Sequence, residues 1–250
     1  MLPLQPLLPS PLPVFLRVCL ANGLFSRKSK KMSKPLCTVI GMGPGNGFSI
    51  AKRFAKEGFR IAMISRPGDD LKALQKKFEA LGYESYDFYA EVGDFEQFKK
   101  TLNEVSSKLG DTDVLVYNVS IYREATPAAL DAELCVQDFR ANVAAALVAV
   151  QHVVPPMKEK KKGTILITGG GQALHPLPLL SSLAIGKAGI RNLAWSLHEE
   201  LKHFGIHAAT VTINGQVKQG TKFAPDLICE EFWKLHSQPQ GQFEREIIYQ

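Results

Sequence analysis

The tightest constraint on the fold lies in residues 36–66. An apolar run, Leu36-Cys37-Thr38-Val39-Ile40, is broken by Gly41-Met42-Gly43-Pro44-Gly45-Asn46-Gly47, and Ile50, Ala51, Phe54 and Ala55 then recur at helical spacing. A second apolar run over residues 59–64 ends at Ser65-Arg66. Strand, glycine turn, helix, strand is the local order of a phosphate cradle. Glycine lets the backbone turn sharply and come close to a pyrophosphate, and the amides and positive dipole end of the following helix attract the anion. Gly41, Gly45, Asn46 and Gly47 are therefore the expected cofactor contacts. The end of the second strand selects the coenzyme, because a carboxylate there binds the ribose hydroxyls of NAD and repels the extra phosphate of NADP. This chain offers Arg66, whose guanidinium can hold a phosphate through paired hydrogen bonds, so the residues favour NADP(H) over NAD(H). A solvated loop arginine is the alternative reading of Arg66.

With 250 residues and 45% hydrophobic content, the chain can bury one substantial core, so a single domain is expected over residues 35–250 behind a separate leader, residues 1–34. The formal charge of +6 is carried by Arg17, Arg27, Lys28, Lys30, Lys31 and Lys34 in a leader without any acid, which leaves the rest of the chain neutral. No basic face is then left for nucleic acid, and no nucleic-acid-binding motif is present. Prolines at 3, 6, 9, 11 and 13, with Arg17 inside the apolar stretch, exclude a membrane span in the leader. Its cations follow the apolar run, unlike those of a secretory signal. Two readings remain for it. Met32-Ser33-Lys34 as the effective start gives a cytoplasmic protein, the preferred expectation, whereas a transit peptide would send the chain to the mitochondrion. Cys19, Cys37, Cys135 and Cys229 have no metal or redox spacing, so no metal site is expected and the thiols read as buried in a reducing compartment.

Beyond residue 66, helical and strand periodicities alternate. Leu71, Leu74, Phe78 and Leu81 mark a helix, residues 83–89 a strand, and Phe95, Phe98, Leu102, Val105 and Leu109 a second helix. Strands follow at 114–117, 164–168 and 206–213, separated by helices over 139–154 and 182–204, with a last helix at 226–236 and a last strand at 246–249. Such alternation predicts an α/β fold: a doubly wound parallel sheet of the Rossmann type, order 3-2-1-4-5-6-7, with helices on both faces and the ligand across the carboxyl ends of the strands.

By these residues the chain resembles the short-chain dehydrogenase/reductase family from 36 to 250. Gly41-xxx-Gly45-x-Gly47 matches the family's nucleotide turn, although Ile40 replaces the usual preceding Thr. Asn118 matches the second Asn of an Asn-Asn-Ala-Gly segment, Asn142 the helix asparagine that holds a proton-relay water, and Lys187, between Gly186 and Ala188, the lysine of the active-site helix. Asn214-Gly215 replaces a Pro-Gly pair. The resemblance implies that Asn118 and Lys187 bind the coenzyme, Lys187 through the nicotinamide ribose, that the substrate is a small molecule, and that the chain pairs into a homodimer or homotetramer. Trp195 and His198, off the buried stripe of the long helix, are the expected interface.

The resemblance fails where the family does its chemistry. Four positions before Lys187, where the family carries its acid tyrosine, stands Leu183, and thirteen further back, in place of serine, stands Gly170. The enoyl-reductase register gives Leu180. An alkoxide developing from a ketone needs an acid and preorganised donors. Ser181, Ser182, Thr168, His175, Tyr117 and Tyr122 are the candidates, and His175 comes first because its ordinary pKa suits proton transfer near neutrality. Each has a plain alternative: Ser182 as a helix cap, Thr168 as a strand residue, His175 as a surface residue, Tyr117 as a packing aromatic. Gly169-Gly170-Gly171 could offer amides to an oxyanion or form a turn. Leu174, Leu177, Leu179, Leu180 and Leu183 would make an apolar pocket wall. The expected function is an NADP(H)-dependent oxidoreductase for a small apolar carbonyl or enone, with Lys187, Asn142 and His175 at the centre. The competing expectation is a nucleotide-binding sensor or scaffold whose catalysis has lapsed.

Overall fold

A computed structural model describes residues 34–250. The expectations for the leader and for Cys19 lie outside the described residues. The chain order is β1 (Leu36–Ile40), α1 (Asn46–Lys56), β2 (Arg60–Ser65), α2 (Leu71–Ala80), β3 (Ser85–Tyr89), α3 (Phe95–Leu109) and β4 (Val114–Tyr117). It continues with α4 (Ala132–Phe139), a π turn (Arg140–Ala144), α5 (Ala145–Lys160), β5 (Gly163–Gly170), α6 (Ser181–Leu201), β6 (Ile206–Ile213), α7 (Pro225–His236) and β7 (Glu246–Tyr249). All seven strands pair in parallel in the order β3-β2-β1-β4-β5-β6-β7, as the sequence predicts.

The unbroken apolar strands follow from covering both faces of the sheet. Leu36 and Ile40 of β1 point to the layer built by Phe98 and Leu102 of α3, Ala149 of α5 and Ile190 and Leu197 of α6. Their neighbours Cys37 and Val39 point the other way, to Ile50 and Phe54 of α1, Leu74 and Phe78 of α2 and Phe232 of α7. That alternation is the period of two that every strand imposes.

Boundaries depart from the sequence reading where tertiary contacts override local patterns. β3 begins at Ser85, two residues late, because Gly82 turns the chain with φ +75° and Tyr83 still donates its amide to Phe78 of α2. The expected helix over 139–154 is longer at both ends and broken in the middle. Asp131 caps α4 by accepting from the Leu134 amide, the π turn follows, and α5 runs through Pro155 and Pro156 to Lys160. Each proline removes one i→i−4 backbone hydrogen bond, yet the helix continues past both. Continuing the helix buries Met157 against Gly163, where a Cβ would lie 2.3 Å from its sulfur.

Ser182 is not the cap of α6. The helix starts at Ser181 after Leu180 with no side-chain cap, and the Ser182 hydroxyl donates to Asp138 instead. His198 is also not available at an interface: it is buried, with Nδ1 3.1 Å from the Ala208 carbonyl oxygen. Trp195 lies between the Arg191 and Arg245 guanidinium groups, 4.2 and 3.9 Å from its ring centre. The apolar side chains that α4 and α6 leave in solvent are Val136, Phe139 and Ile185.

Candidate active site

Two adjoining cavities open along the carboxyl ends of the strands, where a parallel doubly wound sheet leaves its ligand crevice. The first, of about 800 Å³, lies over β1 and β2 and is lined by Gly41, Gly43, Ser65, Arg66, Asp69 and Lys77 among others. The second, of about 920 Å³, lies over β5 and the start of α6 and is lined by Asn46, Thr168, His175, Leu180, Leu183 and Lys187 among others. Asn118, Ser120 and Tyr122 border both, so the two form one groove.

The glycine turn is built for close approach. Gly41 adopts φ +82°, and a Cβ there would meet the Asn118 carbonyl carbon at 2.7 Å. A Cβ at Gly47 would meet the Gly41 carbonyl oxygen at 3.0 Å, so this glycine lets α1 pack on the turn and does not line the groove. Gly43 and Gly45 face open space. α1 follows Gly45 with no side-chain cap and no acid in its first turn, which leaves its first amides and positive dipole end for an anion. Asn46 brings a buried Oδ1 without a hydrogen-bond partner to the second cavity. Open glycines and uncapped amides fit a dinucleotide's diphosphate, whereas the Asn46 Oδ1, an acceptor, would take a hydroxyl or N–H donor.

Asn118 ties the groove together. Its Nδ2 donates to the Gly41 carbonyl at 2.9 Å and its Oδ1 accepts from the Thr168 hydroxyl at 2.8 Å. Thr168 is thus committed to Asn118. Lys187 donates from Nζ to the Thr168 carbonyl at 2.8 Å, and burial lowers its ammonium to about 8. Asn142 lines neither cavity. Its Oδ1 accepts from the Ile121 amide at 2.7 Å, positioning the segment that carries Ser120 and Tyr122, and its Nδ2 is buried without a partner. Gly186 permits this packing, since a Cβ there would lie 2.9 Å from that Nδ2.

The acid candidates separate. Tyr117 is buried, donates to the Ala141 carbonyl, and has its pKa pushed up by burial and then by Glu91, so it is the packing aromatic. Ser181 donates to the Ala125 carbonyl at 2.7 Å. His175 and Tyr122 line the second cavity from exposed positions, Tyr122 at 65% exposure. Gly169 and Gly170 continue β5 and are not a turn. Side chains at 169 and 171 would strike the Thr210 and Thr212 hydroxyls at 2.7 Å and the Asn214 amide oxygen at 2.2 Å. At 170 a Cβ would lie 3.4 Å from the Lys187 aliphatic chain, a tight but accommodating contact. Of the five leucines expected in the pocket wall, Leu177, Leu180 and Leu183 line the cavity, whereas Leu174 and Leu179 do not.

Two arrangements carried no legible signal. Arg123 reaches Asp138 with two hydrogen bonds of 2.8 and 3.0 Å, and Ser182 completes the carboxylate's shell. The Arg123 guanidinium, with Ser182 helping, keeps Asp138 below the ordinary carboxylate range despite its burial. Asp69 accepts from the Ser65 hydroxyl at the mouth of the first cavity. Both pairings depend on chain segments that meet only in three dimensions or across a turn. Among the described residues no group of three or more His, Cys, Asp or Glu could hold a metal, and no helix is long and apolar enough to cross a membrane.

Residues 36–222 match the family model described as short chain dehydrogenase. The chain belongs to the short-chain dehydrogenase family. It is 25% identical over 209 residues to the oxidoreductase asL5 of Sarocladium schorii, covering 84% of this chain and 82% of that one. To a very-long-chain 3-oxoacyl-CoA reductase of Aspergillus niger it is 31% identical over 205 residues, which is 77% of this chain but 58% of that longer protein. A crystal structure of a metagenomic short-chain oxidoreductase in complex with NADP superposes with TM-score 0.78 at 21% identity, covering 86% of this chain and 96% of that one. At that identity the likeness shows the shared fold.

Proposed function

We propose that this family member is an NADP(H)-dependent oxidoreductase that acts on a small apolar carbonyl or enone and uses a proton donor other than the family's tyrosine. The observation that carries this reading is the continuous groove from the Gly41 turn to Lys187. The solved relative named above was crystallised with NADP, and an alcohol dehydrogenase from Thermococcus sibiricus with 5-hydroxy-NADP, which supports the choice of coenzyme class. Gly41, Gly45 and Asn46 would hold the diphosphate, Arg66 the 2′-phosphate, and Asn118 the shape of the turn.

Lys187 would hold the nicotinamide ribose with its ammonium. The reduced coenzyme supplies the hydride when bound. The carbonyl carbon that takes the hydride leaves an alkoxide, and His175 would give that oxygen its proton from the exposed side of the cavity. Asn142 keeps Ser120 and Tyr122 at the rim by holding the Ile121 amide. Leu177, Leu180 and Leu183 make the wall apolar, which suits an uncharged reacting end. The Aspergillus niger relative reduces, by its name, a 3-oxoacyl thioester, so that class belongs in the substrate panel.

The second reading, a nucleotide-binding protein without turnover, is favoured by Leu183, 8% exposed in the tyrosine's position, and by Gly170 against Lys187. Purified protein with NADPH and a panel of aldehydes, ketones, enones and 3-oxoacyl thioesters separates the two. Turnover that falls in His175→Ala while NADPH binding persists supports the enzyme. Tight binding with no oxidation of NADPH on any class supports the sensor. A second copy of this chain would cover Val136, Phe139 and Ile185, and light scattering that finds only monomer would refute that assembly.

A further inference from the structure

We infer that Asp69, a residue without an assigned role, sets this chain's discrimination between phosphorylated and unphosphorylated coenzyme by contesting Ser65 and Arg66. The inference rests on the dinucleotide reading of the groove and refines it. β2 ends in the buried Ser65, and a turn follows in which the Asp69 amide bonds the Arg66 carbonyl at 3.2 Å and Gly68 takes φ +96°. The turn folds Asp69 back onto the strand end. Its Oδ2 accepts from the Ser65 hydroxyl, and its Oδ1 stands 3.8 Å from Arg66 Nη2.

A carboxylate thus stands beside the guanidinium that the sequence reads as the phosphate contact. Arg66 is 62% exposed and reaches Asp69 as its ion-pair partner among the described residues. The other charged groups lining this cavity are Lys77, Asp70 and Glu91. Asp70 is committed to capping α2, where it accepts from the Ala73 amide at 2.9 Å. Asp69 has no such duty. Its carboxylate can accept from a ribose hydroxyl beside Ser65, four residues beyond the strand end, as an acid at the strand end itself would. A 2′-phosphate at the same place meets like charge and must draw Arg66 away from its present partner. Asp69 therefore limits how strongly the chain prefers NADPH over NADH, without reversing that preference.

Fluorescence titration of the full chain and of Asp69→Asn and Asp69→Ala with NADPH and with NADH tests this, with thermal melts confirming the fold. The ratio of the two dissociation constants should move toward NADPH by about fivefold in both variants, the size of one solvent-exposed charge contact. The gain should shrink when Arg66→Ala is added and at high salt. A ratio unchanged within about twofold, in variants that still bind coenzyme, overturns the role of Asp69 and leaves the dinucleotide reading standing. An unmodified chain that binds neither coenzyme overturns both.

Discussion

At the scale of single residues, the groove depends on groups whose neighbours the sequence does not name. Gly41 was legible, because a glycine between a strand and a helix announces the turn, and the structure adds the reason: φ +82° and the Asn118 backbone at 2.7 Å leave room for nothing larger. Lys187 was legible as a family match but not as a partner of the Thr168 carbonyl, which requires β5 and α6 to be placed together. Burial lowers its ammonium to about 8, so the charge needed to hold a ribose hydroxyl is present below that pH and lost above it. Coenzyme affinity should weaken by about tenfold for each pH unit well above 8 that Lys187 titrates, and Lys187→Met should give a flat, weaker profile. Titrations from pH 6.5 to 9.5 check it, and equal slopes in the two proteins would contradict it. Ser182 shows the opposite case: a serine at a helix start reads as a cap, and the structure spends its hydroxyl on Asp138.

Among elements, the order of strands and helices was readable because apolar periodicity is local, whereas their joints were not. The π turn and α5 read as one helix, and α4 went unread, because the break comes from packing around Asn142 and Gly186 and not from a proline or glycine inside the turn. The joint between the segment after β4 and the start of α6 rests on Arg123, Asp138 and Ser182, and on the bridge between Ala125 and Leu180. Asp138 has a side chain only 3% exposed, so removing its cation strands a buried charge. Arg123→Ala should destabilise the protein, and the double change Arg123→Ala with Asp138→Asn should cost less, since neither charge then remains. Urea unfolding of the three proteins measures this; a double variant weaker than the single one would rule out a stranded carboxylate as the cause. The same variants, assayed for turnover, report whether this joint must be held for substrate to bind.

For the whole molecule, the fold puts the nucleotide turn, Asn118 and Lys187 along the carboxyl ends of the strands, although they lie far apart in the chain. The core also encloses imidazoles that work against acid. His236 bonds the Thr164 hydroxyl, and burial, with Lys162 and His207 nearby, lowers it from 6.5 to about 4. A histidine whose pKa falls on folding stabilises above its unfolded value, so stability should drop as pH falls from 6.5 toward 4, and His236→Gln should make that drop shallower. Chemical denaturation at a series of pH values follows it, and parallel curves would exclude His236 as a contributor. Asp69 and the Arg123 joint escaped the sequence because a turn and two distant segments set them, not periodicity. The most direct measurement is calorimetry of the full chain with NADPH and NADH, beside Gly41→Ala verified as folded by its melt. Saturable heat in the parent, abolished or strongly reduced in Gly41→Ala, is expected; no heat with either coenzyme at millimolar concentration would contradict a dinucleotide site and leave a shared architecture alone.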